Sequence, residues 1–431
     1  MLSQEDNDIL TQVGPGTKMG ELLRRFWMPA LLEREIPEPD SPPVKVRILG
    51  EDLVAFKDTD GRVGILDNFC PHRLAPMHLG RNEKCGLTCI YHGWKFDVEG
   101  NCVDMPNETP EKEFSSKVRM KAYPSVIRGG VIWVYMGPEE KISKPPELEW
   151  SRLPEGQCYA TKRLQQNNWA QAVEGGIDSS HISFLHSRNM DKQPDADKKI
   201  PINKYHQDGH PVVHVEETDY GMRIGGRRKA EEDSYYWRFT QFLVPFYTMI
   251  APVGNFEDSR NEPYNGHAWV PIDDENTWTW SFGANPHRAY TEQELSDLGG
   301  DEGMWGPVDD NFRPVHNMDN NYHQDRELQK EGNYSGIQGI PNQDAAVQEG
   351  MGPIVDRTKE HLGSADLAII NFRKRLIQMA KDLADGKEPE AANQGNWYNI
   401  RSVAIVLDKE ADVDEGAGDL FAGGEIRSAA E

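Results

Sequence analysis

What the chain lacks bounds it first. Among its 431 residues no run approaches the roughly 18 apolar positions that a membrane-spanning helix needs. The N-terminus, MLSQEDNDILTQVG, carries acids where a secretory leader has a basic and then an apolar stretch. A cytoplasmic protein is expected. Cysteine is scarce: the five residues Cys70, Cys85, Cys89, Cys102 and Cys158 are too few for a disulfide scaffold of this size. Thiols used so sparingly are metal ligands, catalytic groups or ordinary buried side chains. Basic residues are in short supply, 47 Lys and Arg against 71 Asp and Glu. The formal charge of −24 speaks against nucleic acid or an anionic membrane surface as the main partner. No internal repeat or long low-complexity tract is present.

What is there favours two domains or more by length alone. Residues 17–33, TKMGELLRRFWMPALLE, read as an N-terminal helix ending before Pro29. Short strands follow: VKVRIL at 44–49 and DLVAF at 52–56 joined by Gly50-Glu51, VGIL after a turn at Asp60-Gly61, and GVIWVYMG at 130–137. Together they predict a small antiparallel β domain. KISKPPELEW at 141–150 reads as a linker. A helical, histidine-bearing segment comes next. Strands are then expected in VVHVEE (212–217), YYWRFTQFLVPFYTMI (235–250), HAWVPI (267–272) and WTWSFG (278–283). Residues 285–343, rich in Asn, Asp, Gly and Gln, are expected as long surface loops. Ser364 is expected to cap a helix with Leu367, Ile370, Leu376, Ile377, Ala380 and Leu383 along its buried face and Gly386 as its stop. The acidic tail after Asp408 is expected to be mobile.

Two constellations carry chemistry. The first is Cys70-Pro-His72 followed, after 16 residues, by Cys89-Ile-Tyr-His92. It places one thiolate and one imidazole on each of two short loops. Four such ligands hold either Zn(II) or a [2Fe–2S] cluster in which two histidines replace two cysteines on one iron. Cys85, Cys102, Cys158 and His78 fall outside the pattern and read as ordinary thiols and a loop residue.

The second is NWAQAVEGGIDSSHISFLH at 168–186, with His181, His186, Glu174 and Asp178. Two imidazoles with a carboxylate from elsewhere make a facial triad with open positions, suited to Fe(II) and O2. Asp178 and His181 are three apart and share a helix face, so the carboxylate can hydrogen-bond a ring N–H. His181 and His186 are five apart, about 140° around a regular helix. They cannot reach one ion unless the helix breaks between them, and Gly175-Gly176 and Ser179-Ser180 loosen the segment. His206, His210 and His214 form another spaced set, but Gly209 and Pro211 prevent a continuous helix through them, and they read as strand and loop residues.

The flanks CPHRLAPM and CIYHGWKFD closely resemble the Rieske iron–sulfur fingerprint. A Rieske domain followed by E-x3-D-x2-H-x4-H resembles the catalytic α subunits of Rieske non-haem iron aromatic-ring-hydroxylating oxygenases. GPGTKMGELLRRFWMPA, EGGIDSSHISFLH and NQDAAVQEGMGPIVDRTKEHLGSAD are similar to the phthalate dioxygenase family within that group. The resemblance implies an α+β fold. An N-terminal segment over 1–39 packs on the catalytic domain. A small antiparallel β Rieske [2Fe–2S] domain spans 40–145, and a catalytic mononuclear iron domain, an antiparallel sheet flanked by helices (helix-grip, START-like), spans 146–431. It implies Cys70, His72, Cys89 and His92 as cluster ligands and His181 and His186 as iron ligands. It also implies Asp178 as the bridging carboxylate and Asp344 as the third iron ligand, over the competing acids Asp319, Asp325 and Asp366. Many relatives carry Asn three residues before the bridging Asp, where this chain has Gly175. The implied activity is O2-dependent cis-dihydroxylation of an aromatic, carboxylate-bearing substrate, with O-demethylase-type monooxygenation as the alternative on the same ligands. The implied partners are an NAD(P)H reductase with FMN and a plant-type [2Fe–2S] centre, and copies of the chain in a trimer or stacked hexamer. For a substrate carboxylate, Arg238 is the expected cation, ahead of Arg223, Arg227 and Arg228. Trp237 and Phe239, with Phe242 and Tyr247, are expected to line the pocket. A Rieske electron carrier without catalysis and a zinc-stabilised binding protein are the rival readings.

Overall fold

Strand patterning and one left-handed turn organise the start of the structure, a computed structural model that describes residues 1–187, 208–252, 263–299, 304 and 306–424. Strands Val44–Ile48 and Glu51–Lys57 pair around Leu49-Gly50, whose φ angles are 49° and 77°. That handedness matches the twist of paired strands, and glycine supplies it without a Cβ clash. Val63–Asp67 completes this three-stranded sheet. A second sheet joins Trp27–Leu32, Val131–Tyr135 and Ser125–Arg128, and a third joins four strands of two or three residues between Arg81 and Asp104.

The chain divides into two compact units, Val13–Ile142 and Met1–Gln12 with Ser143–Glu431. The expected N-terminal segment therefore splits: residues 1–12 belong to the second unit and 13–39 to the first. The helix expected over 17–33 is confined to Lys18–Leu23. Trp27–Leu32 is a strand, buried along its whole length, because Val131–Tyr135 offers it an equally apolar partner. Pro29 sits at a register shift in that pairing, where the ladder is already irregular. Val54, Phe56, Leu66, Met77, Leu87, Trp94 and Phe96 form the unit's core together with Cys70, Cys89 and Cys102.

The second unit is built on an eight-stranded antiparallel sheet. Its order is Cys158–Gln165, Thr277–Ala284, Tyr264–Pro271, Tyr247–Ile250, Ser234–Leu243, Gly221–Lys229, Val212–Thr218, with Val403–Asp408 also paired to Ser234–Leu243. The apolar run 235–250 becomes two strands, since Val244-Pro245 interrupts the ladder between them. Helix Trp169–Ile177 lies on strands Tyr247–Ile250 and Tyr264–Pro271 and touches helices Ile340–Gly350 and Leu367–Ala384. The last buries Ala368, Phe372, Leu376, Ile377, Ala380 and Leu383, while Leu367 and Ile370 face outward. The buried stripe thus runs at i, i+4 from Ala368 rather than from Leu367. Ser364 does not cap it: a short 3-10 turn, Ser364–Asp366, precedes the helix, and the Asp366 carboxylate accepts from Gly363 N at 2.7 Å.

Residues 285–343 are less irregular than expected, holding helices Glu292–Gly299 and Arg326–Glu331 and a 3-10 segment at Met318–His323. The tail after Asp408 also folds back, because Ala417, Leu420 and Phe421 bury against Trp237 and Phe239. No helix among the described residues is long and apolar enough to cross a membrane.

Candidate metal centres

In the first unit, two loops of the same design face each other. The N–H of Cys70 donates to Ala75 O (2.9 Å) and that of Leu74 to Cys70 O (2.8 Å). In the second loop Cys89 N donates to Trp94 O (2.8 Å) and Gly93 N to Cys89 O (2.9 Å). The residue four after each cysteine turns through positive φ, 58° at Leu74 and 81° at Gly93. A Cβ at Gly93 would also meet Pro106 Cγ at 2.6 Å. Both cysteines are buried in the core, and burial with the neighbouring Cys89 thiol pushes Cys70 up to about 11. The His72 and His92 rings lie 4.4 Å apart. Trp94 stacks on His72 at 4.6 Å, and Tyr91 packs on His92 at 3.9 Å.

The Nδ1 atoms of His72 and His92 are buried without a hydrogen-bond partner. An orphaned buried nitrogen is costly unless something binds it. Two such nitrogens beside two adjacent thiols fit a metal group. A single tetrahedral ion needs donor atoms about 3.5 Å apart. Among the described residues, no three of these four ligand atoms lie within 4.8 Å of one another. The two thiols neighbour each other and the two imidazoles neighbour each other, the sorting that a cluster with two thiolates on one iron and two imidazoles on the other requires. His78 is held by Asn68 Oδ1 at 3.0 Å. The Cys85 thiol donates to Asp60 and the Cys102 thiol to the Asp104 carbonyl, so neither belongs to the set.

In the second unit, helix Trp169–Ile177 is capped by Asn168, whose side chain accepts from Ala170 N at 3.1 Å. Its two glycines serve close approach and do not break it. A Cβ at Gly176 would lie 2.0 Å from the Trp269 ring, and one at Gly175 would lie 2.2 Å from Gln348 Nε2. The break comes at Asp178, which is extended (φ −81°, ψ 122°), and a 3-10 turn His181–Ser183 follows. The α-helix thus ends before either histidine, and it is the 3-10 turn, not a break in a continuing helix, that lies between the two and meets their five-residue spacing. Arg228 holds the broken segment. Its buried guanidinium donates to Ser179 O at 2.5 Å, Ser179 Oγ at 3.2 Å and Ser183 Oγ at 3.4 Å. Burial and the nearby Arg238 lower its pKa to about 10.

His181, His186 and Asp344 come together here. The two Nε2 atoms are 3.1 Å apart, and Asp344 Oδ1 lies 3.6 Å from one and 3.2 Å from the other. Each Nδ1 is already bound, that of His181 to Asp178 Oδ2 (3.2 Å) and that of His186 to Gln343 Oε1 (2.7 Å). Both partners accept and do not donate, so each Nδ1 carries the hydrogen. In its neutral form each ring then turns a lone pair inward at Nε2. Two lone pairs and a carboxylate oxygen converge with no hydrogen to share, which is an arrangement that calls for a cation. This is the one group of three or more such side chains among the described residues whose ligand atoms all lie within 4.8 Å. The donor set is that of a facial triad.

The electrostatics agree. Burial opposes ionisation of Asp178, but hydrogen bonds from His181 and Ser180 outweigh it and hold the carboxyl at about 2. Burial also opposes ionisation of Asp344, and His186 and His181 draw it below the usual carboxylate range. Burial opposes protonation of His181, but Asp178 and Asp344 outweigh it and raise its pKa; a cation at Nε2 would take the place of that proton.

The competing acids are used elsewhere. Asp319 pairs with Arg313 at 2.6 Å, Asp325 caps helix Arg326–Glu331, and Asp366 holds Gly363. Glu174 is an ion-pair hub, bonded to Arg357 (3.1 and 3.2 Å) and Arg373 (2.7 and 3.0 Å).

The expected substrate residues are not brought to this site. Arg238 donates to the carbonyls of Ala251 (2.8 Å) and Pro252 (3.1 Å). Trp237 and Phe239 stack at 5.2 Å in the apolar cluster under Val403, Ile405 and Phe421. Strand alternation puts both on one face, which Ala417, Leu420 and Phe421 cover, so they pack in a core. Phe242 meets Phe372 and Tyr247 meets Tyr398, also as core. Arg223 pairs with Glu216 and Asp414, and Arg227 lies over the Tyr235 ring. His206 lies outside the described residues; His210 is exposed and His214 packs on Trp237. Nothing in the local sequence marks Gln343 as a site residue except its place directly before Asp344.

Comparison with known proteins gives a consistent picture. The Rieske [2Fe-2S] domain family matches residues 26–124, and the LigXa C-terminal domain-like family matches residues 134–416. The phthalate 4,5-dioxygenase oxygenase subunit of Pseudomonas putida is 39% identical, over 88% of this chain and 86% of that protein. The 3-chlorobenzoate-3,4-dioxygenase oxygenase subunit of Comamonas testosteroni is 38% identical, over 92% and 93%. The 5,5'-dehydrodivanillate O-demethylase oxygenase subunit of Sphingobium sp. is 33% identical, over 99% and 92%. Among solved structures, NdmB of Pseudomonas putida CBB5 (TM-score 0.61, 17% identity, 93% of this chain and 99% of that chain) shares the fold. So does dicamba monooxygenase bound to dicamba (TM-score 0.59, 18%, 84% and 99%).

Proposed function

Because this chain belongs to the oxygenase α subunits of Rieske non-haem iron oxygenases, we propose that it is the terminal oxygenase for an aromatic, carboxylate-bearing substrate and that it acts by cis-dihydroxylation. The family carries a Rieske [2Fe–2S] cluster and mononuclear iron, uses O2, and works with a reductase. The ligands we assign are Cys70, His72, Cys89 and His92 for the cluster, and His181, His186 and Asp344 for the iron. The observation that carries the reading is the convergence of two inward Nε2 lone pairs on Asp344 Oδ1. Iron held by His181, His186 and Asp344 would supply the activation of O2, and a cluster held by Cys70, His72, Cys89 and His92 would supply single electrons.

The chain's own residues set that chemistry up. Asp178 holds the hydrogen of His181 Nδ1 and so fixes which nitrogen faces inward. Asp178 accepts from Ser180 N (2.7 Å) and Ser180 Oγ (2.8 Å) at Oδ1 and from His181 N (3.3 Å) and Nδ1 (3.2 Å) at Oδ2, so a further ring N–H takes the place of one of these donors. We assign that place to a cluster-ligating histidine, His72 or His92, of a neighbouring copy. A trimer, alone or as a stacked hexamer, is the assembly proposed. Exposed apolar side chains beside each centre support it: Leu74, Ile90 and Tyr91 near the cluster ligands, and Phe184, Val347 and Met351 in the elements that carry the triad. The reductase is proposed to draw on NAD(P)H through FMN and a plant-type [2Fe–2S] centre, and the system is proposed to be cytoplasmic.

The substrate class rests on the relatives named for phthalate and 3-chlorobenzoate. The relative named as an O-demethylase, matched over 99% of this chain, favours monooxygenation as the second reading. A screen of aromatic acids and methoxylated aromatics, with coupled NAD(P)H and O2 consumption, separates the two: vicinal diols support the first, and phenols with formaldehyde support the second. For the assigned bridge, Asp178→Asn is expected to keep both metal centres and lose turnover. Turnover near wild type removes the bridge from the account.

A further inference from the structure

We infer that Gln343 is the positioning residue of His186: its amide fixes the ring so that Nε2, and not Nδ1, meets the metal. The inference rests on the iron reading above. The amide has no freedom in the matter. Gln343 is 5% exposed, and one end of its amide lies 2.7 Å from the carbonyl oxygen of Ile337. A carbonyl only accepts, so the amide nitrogen must stand there. The amide oxygen is left facing His186 Nδ1 at 2.7 Å. An amide oxygen also only accepts, so Nδ1 carries the hydrogen and Nε2 keeps its lone pair. The ligand atom of His186 is thus chosen by the chain before any metal arrives.

Two consequences follow from this geometry. Gln343 and Asp344 are consecutive in helix Ile340–Gly350, so one helical turn supplies one ligand and the anchor of another that lies 157 positions away from Gln343. A shift of that turn moves two of the three ligands together. The two imidazoles are also backed unequally, His181 by a full carboxylate charge and His186 by an amide dipole. A carboxylate makes the ring behind it a more basic donor than an amide does. The amide at 343 therefore keeps His186 the weaker of the two nitrogen ligands.

The test uses the full-length protein and two variants, Gln343→Leu and Gln343→Glu. Both lose the bond to Ile337, so their difference isolates the acceptor for His186. Fe(II) affinity is measured by equilibrium dialysis, and the EPR signal of the ferrous nitric oxide adduct reports ligand strength. Far-UV circular dichroism monitors folding. Gln343→Leu is expected to bind Fe(II) about 10- to 100-fold more weakly. Gln343→Glu is expected to keep near-native affinity with a changed EPR signal. A folded Leu variant with native affinity overturns the inference. So does equal loss of iron in both variants, since that marks Gln343 as a packing residue. If the Leu variant does not fold, the Glu variant decides alone, and an unchanged EPR signal overturns the inference. Wild-type protein that takes up no iron in the same dialysis defeats the iron reading instead, which is a separate outcome.

Discussion

The two histidine pairs present opposite edges of the same ring. His72 and His92 bury unpartnered Nδ1 atoms, while His181 and His186 tie Nδ1 to Asp178 and Gln343 and turn Nε2 inward. In the first pair the rings themselves are partly exposed. In the second pair the left-over edge is anchored inside the unit. On the reading proposed above, the choice of nitrogen separates a centre that hands electrons outward from one that holds an ion rigidly.

The sharpest way to break this comparison is to remove one ligand on each side. His186→Ala is expected to lose the mononuclear iron and more than about 100-fold in turnover, beyond the range of an outer-shell change. The cluster's visible spectrum should be unchanged. His72→Ala should do the reverse, losing the spectrum and keeping the mononuclear iron. Metal analysis with visible spectroscopy on both variants decides whether the two centres are independent.

A smaller effect is expected at Glu174, which holds the site helix. Glu174→Gln leaves Arg357 and Arg373 short of a buried counter-charge and is expected to cost about 3–5 kcal/mol. Burial alone would raise the Glu174 pKa, but the two arginines outweigh it and lower it. Its contribution is therefore fully present above the ordinary glutamate value of 4.5 and is lost as pH falls through the lowered folded value. In denaturant melts the gap between wild type and variant should narrow as the pH drops below that ordinary value.

Gly176→Ala tests the packing of the same helix, since its Cβ would enter the Trp269 ring at 2.0 Å. Overpacking of this kind is expected to cost about 1–3 kcal/mol, read as a lower unfolding midpoint. The smallest effect belongs to Cys85→Ser. That thiol lies outside both centres, and the change should stay within about 0.5 kcal/mol with the cluster spectrum intact.

The two centres also differ in how legible they are. Cys70, His72, Cys89 and His92 fall within two short loops, so their spacing alone marks a metal group. The need for a helix break between His181 and His186 follows from the helical period. Asp344 does not follow from spacing, because it lies far along the chain and its local surroundings match those of several other acids. Glu174, Arg228 and Gln343 were illegible as structural anchors for a related reason. Their partners are 183, 49 and 157 positions away, and no local pattern announces such bonds. The expected pocket residues Arg238, Trp237 and Phe239 fail differently. Alternation correctly sets Trp237 and Phe239 on one face, but in a run apolar on both faces it cannot say which face the distant Ala417, Leu420 and Phe421 cover. Residues 17–33 show the same limit: a helical period in the sequence yields to a fully apolar partner strand.

The most direct test is the ratio of iron to acid-labile sulfide in purified, anaerobically reconstituted protein. A two-iron, two-sulfide cluster contributes equal amounts of each. The account predicts iron in excess of sulfide by one atom per chain, with the excess abolished in Asp344→Ala. Equal iron and sulfide in the wild type, or an excess that survives Asp344→Ala, would contradict it.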